Sequence, residues 1–221
     1  MMGKTGKGKA GCGCLLFVLV LCMVAAGVMV HPFSLKVIAG RFRHEDKLVP
    51  CDAIYVPRFS EDKNGELYTE AFREYWAGNG KVIWVEDDRL FGLTMKDIVA
   101  RMAKERGIKE GALRALDVGG DGQAKAQMVK RSLAKQGIKK IIVVVPDYAS
   151  KRCQMLYESG TGDLPVVLIK PVQVSYFKLD KWWRDDLSRH LMEREFFRVG
   201  RLYFRGFGFG AKEGAKGETV R

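Results

Sequence analysis

The sequence has few of the residues that build metal centres and nucleophilic triads. It contains three histidines and five cysteines in 221 residues. The histidines are scattered, no Cys-x-x-Cys pair occurs, and Cys12, Cys14 and Cys22 lie in one apolar N-terminal stretch. This pattern excludes a disulfide-rich scaffold and disfavours a zinc centre. We therefore expect no metal. No Ser-His-Asp or Cys-His arrangement can be assembled either, so the catalytic residues are unknown.

The remaining cysteines, Cys51 and Cys153, are expected to stay unpaired. Cys51 precedes one predicted strand and Cys153 follows the end of another, so in a parallel sheet they lie at opposite ends. A strand of about five residues separates them by roughly 15 Å, beyond disulfide reach. Cys153 is either a small buried filler or, beside Arg152 at a helix start, a thiol with a lowered pKa; we favour the filler.

Charge is absent from residues 11–30. As a helix this stretch spans roughly 30 Å, enough for a bilayer core. We expect a transmembrane signal anchor over 11–31 behind a basic cytoplasmic tail over 1–10, and therefore an exported domain. A cleaved signal peptide with Val24 and Ala26 before the cut is the alternative, but apolar residues continue past that point.

The net charge of +12 points to anionic partners. Basic side chains outnumber acidic ones most strongly between residues 96 and 152. Such a surface suits anionic lipid head groups, a phosphorylated ligand or nucleic acid. Nucleic acid is disfavoured for an exported domain, so membrane lipid and an anionic small molecule are the expected partners.

Apolar runs alternate with amphipathic segments from residue 51 onward. The strongest run lies in KKIIVVVPDYASKR, Lys139–Arg152, where five β-branched residues precede Pro146 and indicate a strand buried on both faces. The other strands are predicted over 52–56, 81–85, 113–118 and 165–170. The helices are predicted over 67–76, 95–105, 123–135, 149–157 and 181–203. This alternation predicts a three-layer, open, mainly parallel α/β sheet of Rossmann-like type.

The domain is expected to run from 51 to 204, between a connector over 32–50 and a flexible tail over 205–221. Its long last helix carries an apolar stripe that is predicted to face the core. The stripe consists of Trp183, Leu187, Leu191, Phe196, Val199 and Tyr203.

The ligand site is predicted at the carboxyl ends of the strands, where open α/β sheets bind ligands. Four segments should converge there: Pro57-Arg58, Glu86 to Asp88, Gly119 to Gly122 and Pro146 to Arg152. The candidate ligand-binding residues are Arg58, Asp117, Gly119, Gly120, Gly122, Lys125, Tyr148 and Arg152.

Each candidate also has a structural interpretation. The glycines either present backbone amides to a phosphate or only form a tight turn. Arg152 is either an anion clamp exposed at the rim or the partner of an acid such as Asp117, Asp121 or Asp147. Tyr148 either binds ligand or covers the sheet end. Glu86 to Asp88 either hold a hard cation or form a solvated loop.

The order and spacing of several segments resemble the YdcF, SanA and ElyC family of bacterial envelope domains. The segments are DAIYVP at 52–57, KVIWVEDD at 81–88, MAKERGIKEGALRALD at 102–117, IIVVVPDYASKRC at 141–153 and WWRDDLSRHLMEREFFRVGRLYF at 182–204. Tyr148 and Arg152 match the family's tyrosine and arginine, while Ala149 replaces its histidine. Gly122 and Lys125 replace a threonine and an asparagine.

The resemblance implies a location and a role. The protein would be a single-pass protein of the bacterial inner (cytoplasmic) membrane, with its C-terminal domain facing the periplasm or exterior. It would act in envelope biogenesis or barrier maintenance and bind an anionic small molecule or a lipid-linked precursor. The family's polar motifs are eroded here, so whether the protein is an enzyme stays open.

Two other functions fit the sequence. ALDVGGDG at 115–122 resembles the first motif of class I methyltransferases, which indicates an enzyme using a nucleotide or S-adenosylmethionine. The domain would otherwise be a non-catalytic interaction module at the membrane surface. The sequence identifies no cofactor.

Overall fold

The computed structural model describes residues 10–86, 89–90, 93–158 and 164–206. Residues 1–9 of the predicted cytoplasmic tail lie outside these residues, and so do Asp87, Asp88 and most of the predicted flexible tail.

Five parallel strands form the central sheet, which confirms the α/β, Rossmann-like prediction. They are β1 (Cys51–Val56), β2 (Gly80–Glu86), β5 (Leu113–Leu116), β6 (Lys140–Pro146) and β7 (Val166–Val172), in the order β5-β2-β1-β6-β7. Between β2 and β5, the short strands β3 (Arg89–Leu90) and β4 (Leu93–Thr94) pair antiparallel. Strand β5 ends at Leu116, earlier than the predicted Val118.

Helices cover both faces of the sheet, as the alternating pattern predicts. They are α1 (Ala10–Val30), α2 (Pro32–Gly40), α3 (Glu66–Trp76), α4 (Met95–Glu105), α5 (Gly122–Lys135), α6 (Ser150–Glu158) and α7 (Asp186–Gly206). Apolar residues of α3 and α4 pack in one core cluster and those of α5 and α6 in another. Strand β6 contributes side chains to both clusters, because Ile142 and Val144 belong to the first and Ile141 and Val143 to the second.

Residues 32–50 do more than connect α1 to the domain. The indole Nε1 of Trp182 donates to the Leu35 carbonyl at 3.1 Å, and the rings of Phe42 and Phe196 lie 4.6 Å apart. The Asp46 amide donates to the carbonyl of Ile169 at 3.1 Å, and the Ile169 amide donates to the Asp46 carboxylate at 2.7 Å. This segment therefore covers the outer edge of β7 and protects it from pairing with another strand.

Helix α1 extends over 21 residues, and its described side chains from Leu15 to Val30 are exposed. No single helix among the described residues is long and apolar enough to span a bilayer. Leu15–Val28 and Pro32–Gly40 reach that length and composition only together, as a pair bent by 65°.

The predicted apolar stripe of the last helix is partly wrong. Leu187, Phe196 and Tyr203 are exposed, whereas the buried face of α7 includes the polar residues Ser188 and Glu195. A 3₁₀ segment, Leu179–Arg184, carries Trp183 ahead of the helix. Apolar periodicity misses this face because hydrogen bonds and ion pairs, rather than apolar contacts, accommodate its polar members.

Both domain cysteines are free and buried, in core clusters on opposite faces of the sheet. Burial raises the pKa of the Cys51 thiol and raises that of Cys153 to about 11. A lowered pKa for Cys153 is therefore wrong, because the desolvation of its thiolate outweighs the neighbouring Arg152.

We expect neither Cys51 nor Cys153 to react with maleimide in the folded protein at pH 7, and both to react in urea. Buried thiols with raised pKa values are neutral and inaccessible. Peptide mass mapping under non-reducing conditions checks this, with the urea-treated protein as the control for complete reaction. A Cys51–Cys153 link would contradict the strand arrangement.

Candidate functional site

The sheet has a topological switch point between β1 and β6. From β1 the chain moves outward to β2 and β5, then returns to β6 and continues to β7. The helices that follow β1 and β6, namely α3 and α6, pack on opposite faces. A crevice therefore opens beyond the carboxyl ends of these two strands, where ligands bind in sheets of this kind.

Helix α7 closes one side of this crevice and creates a cleft of about 500 Å³, here called the edge cleft. Arg194 of α7 pairs with Glu61 of the loop after β1 at 3.0 Å, and Glu195 pairs with Arg152 of α6 at 2.6 Å. The cleft is lined by Pro57 to Glu61, Glu86, Gly120 to Ala126, Arg152, Cys153, Leu156, Tyr157, Arg194, Arg198, Arg201 and Leu202. Part of each predicted segment lines this cleft: Pro57 and Arg58, Glu86, Gly120 to Gly122, and Arg152.

Glu86 belongs to the interior of the edge cleft. It ends β2, is almost fully buried, and accepts hydrogen bonds from the Tyr55 hydroxyl and, at 2.7 Å, from the Lys125 ammonium. Burial raises the pKa of Tyr55 well above its ordinary value, so its hydroxyl remains a donor. The solvated-loop interpretation is therefore wrong for Glu86, which positions Lys125 at the cleft.

The glycine turn leads into the edge cleft and also requires glycine for its backbone. Gly120 and Gly122 have φ values of 81° and 51°, in the left-handed region that other residues rarely adopt. Both line the cleft, together with the first residues of α5. The N-terminus of α5 and the charge of Lys125 favour an anion at this end, whereas Asp121 and Glu86, the partner of Lys125, oppose it. Gly119 is exposed and outside the lining.

Arg152 lines the edge cleft from a buried position, and the expectation of an exposed rim residue is wrong. Its side chain is only 15% exposed, and its partner is Glu195 rather than Asp117, Asp121 or Asp147. Glu195 also accepts from Arg198 at 3.1 Å. The sequence did not indicate this pair, because the two residues lie in different helices.

Three arginines of α7 complete the basic lining. Arg194, Arg198 and Arg201 follow one another at helical spacings of four and three residues, so they share one flank of the helix. Arg201 is exposed and makes no ion pair with any residue in the described part of the chain. The apolar stripe of this helix does not reveal this flank, whereas the Arg-x₃-Arg-x₂-Arg spacing is its signal in the sequence.

Besides Gly119, two predicted site residues lie outside the edge cleft. Tyr148 is buried in the other core cluster, with its ring 4.7 Å from Phe177, so it covers the sheet end rather than binding ligand there. Asp117 is exposed and does not line the cleft. Both deviate because the backbone turns after β5 and β6 direct them away from the switch point. Arg58 and Lys125 lie in the lining as predicted.

A second cavity of about 660 Å³ lies beside the ends of β6 and β7. Its lining mixes Arg43, Lys178 and Lys181 with Asp147 and Asp180. It contains no glycine turn, and it does not lie at the switch point between β1 and β6. The edge cleft is therefore the better candidate for an anion site, although it is the smaller cavity.

Asp147 gives the second cavity a measurable pH dependence. Burial raises the pKa of this carboxyl from 3.8 to about 6. A carboxyl with a raised pKa binds its proton more tightly in the folded chain, so its ionisation destabilises the fold as pH rises from about 4 to 6. We expect Asp147→Asn to raise the free energy of unfolding by roughly 1–3 kcal/mol above pH 6.

Urea titrations of the wild type and Asp147→Asn at several pH values check this expectation. The two proteins should differ little below about pH 4, where the wild-type carboxyl is protonated in both states. The exposed Asp186→Asn, on α7, serves as the control. A difference between the curves that does not change with pH would show that Asp147 does not titrate near pH 6.

Among the described residues, no group of three or more histidine, cysteine or acidic side chains is arranged to hold a metal ion. No known family model matches this chain, and no curated protein matches its sequence. The function is therefore inferred from the geometry of the edge cleft.

Proposed function

We propose that this protein is a membrane-anchored, YdcF/SanA-like domain of the bacterial cell envelope that binds an anionic ligand in the edge cleft. The observation that supports this proposal is the excess of basic over acidic side chains in the lining of that cleft. The basic residues are Arg58, Lys125, Arg152 and the three arginines of α7. The ligand carries phosphate or carboxylate groups, as a small molecule or a lipid-linked precursor, because arginine binds both groups with paired hydrogen bonds.

Two of the three acidic side chains that line the cleft are held by donors. Glu86 is held by Tyr55 and Lys125, and Glu61 is held by Ser60 and Arg194. A general base needs an oxygen within reach of the substrate proton. The third acid, Asp121, precedes α5, and its side chain makes no capping hydrogen bond to that helix. Binding is therefore proposed from the basic excess of the lining rather than from the engagement of every carboxylate.

The methyltransferase-like alternative is less well supported. In dinucleotide-binding sheets the glycine turn follows the first strand, next to the switch point. Here Gly119 to Gly122 follow β5, which is an edge strand. The turn reaches the cleft from the side, where it suits one anionic group better than an extended nucleotide.

Native mass spectrometry of the full chain purified in lipid nanodiscs tests the proposed function. We expect a bound anion that is released by high salt and is lost from Lys125→Glu, which reverses a charge in the lining. Lys135→Glu, at the far end of the same helix, is the matched control. A cationic or uncharged ligand, or equal retention by both variants, would contradict an anion site at this cleft.

Reporter fusions after Arg221 test the location separately. A lysine-led apolar stretch usually leaves the preceding tail in the cytoplasm, so an export-dependent reporter should be active. Activity of a cytoplasm-only reporter at the same position would contradict the envelope location while leaving the anion site untouched.

A further inference from the structure

The outer face of α7 carries large aromatic side chains in contact with solvent. Phe197 is 77% exposed and Phe204 is 70% exposed. They are seven residues apart and so lie on the same face of the helix, with Arg201 between them. Aromatic residues interleaved with arginine are typical of helices that lie in the interfacial plane of a bilayer.

Helix α2 lies on the same side of the domain as this face. Leu35 of α2 accepts the Trp182 indole hydrogen bond, and Phe42 contacts Phe196, the neighbour of Phe197. The opposite side of α2 exposes Phe33 and Val37, one helical turn apart. The end of α1 and helix α2 therefore lie near the middle of α7, around Phe196.

We propose that Phe33, Val37, Phe197, Arg201 and Phe204 form a surface, here called the aromatic face, that rests on an anionic lipid bilayer. This inference rests on the proposed membrane anchor and deepens the proposed function. The apolar α1 enters the bilayer beside the aromatic face, and the arginines of α7 reach the level of the lipid head groups. The edge cleft then opens beside the membrane, and its ligand arrives in the plane of the lipid.

Charge favours lipid over a second copy of the chain as the occupant of this face. Arg198 and Arg201 lie beside the exposed phenylalanines, and Arg198 is 46% exposed even with its Glu195 partner. Two copies meeting through α7 would bring these like charges together, which disfavours association. Anionic head groups neutralise the same charges, and each basic residue near such a surface strengthens binding.

Hydrogen–deuterium exchange of the full chain in nanodiscs tests the aromatic face. We compare nanodiscs containing phosphatidylglycerol with nanodiscs of phosphatidylcholine alone, and follow peptides from the last turns of α7. We expect exchange there to be slower by roughly fivefold or more on the anionic lipid, the effect of about one basic residue at a charged surface. The double variant Phe197→Ser/Phe204→Ser should lose most of this protection.

Trp76→Ser is the matched control, because Trp76 is an exposed aromatic at the end of α3, near the start of β1 and opposite the edge cleft. It should keep the full lipid-dependent protection. Equal protection of wild type and the double variant would overturn the proposal, and so would protection that is independent of lipid charge. If the α7 peptides are protected from exchange in lipid-free detergent and this protection disappears when the protein is diluted, the aromatic face binds a second copy of the chain instead.

Titration with inorganic pyrophosphate in detergent separates this inference from the proposed function. The double serine variant should bind pyrophosphate as tightly as the wild type, because neither phenylalanine lines the edge cleft. If the wild type does not bind pyrophosphate, the proposed anion site is wrong. The lipid-dependent protection of α7 is measured separately and does not depend on that result.

Discussion

Glu195→Ala should lower the free energy of unfolding by about 3–5 kcal/mol, the usual effect of removing one partner from a buried ion pair. Glu195 is 1% exposed and receives hydrogen bonds from Arg152 and Arg198. The substitution leaves the buried guanidinium of Arg152 without its counter-charge. It also breaks the link by which α7 is held against α6 at the edge cleft.

Glu193→Ala is the control for this effect. It removes an acid from the same helix two residues away, but from an exposed position. It should change the free energy of unfolding by no more than about 0.5 kcal/mol, as surface substitutions usually do. Urea unfolding of both variants in the same detergent gives the comparison. Similar losses for both would show that the Arg152–Glu195 pair does not hold α7 in place.

Arg201→Ala should weaken binding of an anion in the edge cleft by about 1.5–3 kcal/mol, the range for a hydrogen bond to a charged partner. Arg201 lines the cleft, is exposed, and has no ion pair with any other residue within the described ranges. Its loss should therefore reduce affinity without reducing stability. This separates binding from folding, which a substitution of the buried Arg152 cannot do.

Arg189→Ala is the matched control for Arg201→Ala. Arg189 lies on α7 outside the edge cleft and pairs with Asp186 at 2.6 Å. Calorimetric titration with inorganic pyrophosphate should give nearly the wild-type affinity for this variant. If both variants lose affinity equally, the effect comes from overall charge rather than from a site.

The sequence was sufficient to predict the sheet because its signals are local. Strand β6 is visible as five consecutive β-branched residues, and both faces of a central parallel strand are buried. The alternation of such runs with amphipathic helices then indicates parallel pairing and the edge at which the strands end. Gly120, Gly122, Lys125 and Arg58 were placed at that edge by the same reasoning.

The residues that sequence reasoning misplaced depend on contacts between distant segments. Arg152 was expected at an exposed rim because its partner, Glu195, lies 43 positions away in another helix. Tyr148 was expected in the site because it follows a strand end, but packing against Phe177 directs it into the core. Glu86 lies at the predicted edge, but its burial depends on Tyr55 and Lys125, which no local pattern associates with it.

A crystal structure of the full chain with bound tungstate, a tetrahedral dianion with a strong anomalous signal, tests the central claim most directly. We expect an anomalous peak in the edge cleft, within hydrogen-bonding distance of Arg201 or Lys125 and near the amides of Gly120 to Gly122. A peak only in the second cavity, beside Arg43, Lys178 and Lys181, would contradict it. So would the absence of any peak in the edge cleft at a tungstate concentration that saturates the calorimetric titration.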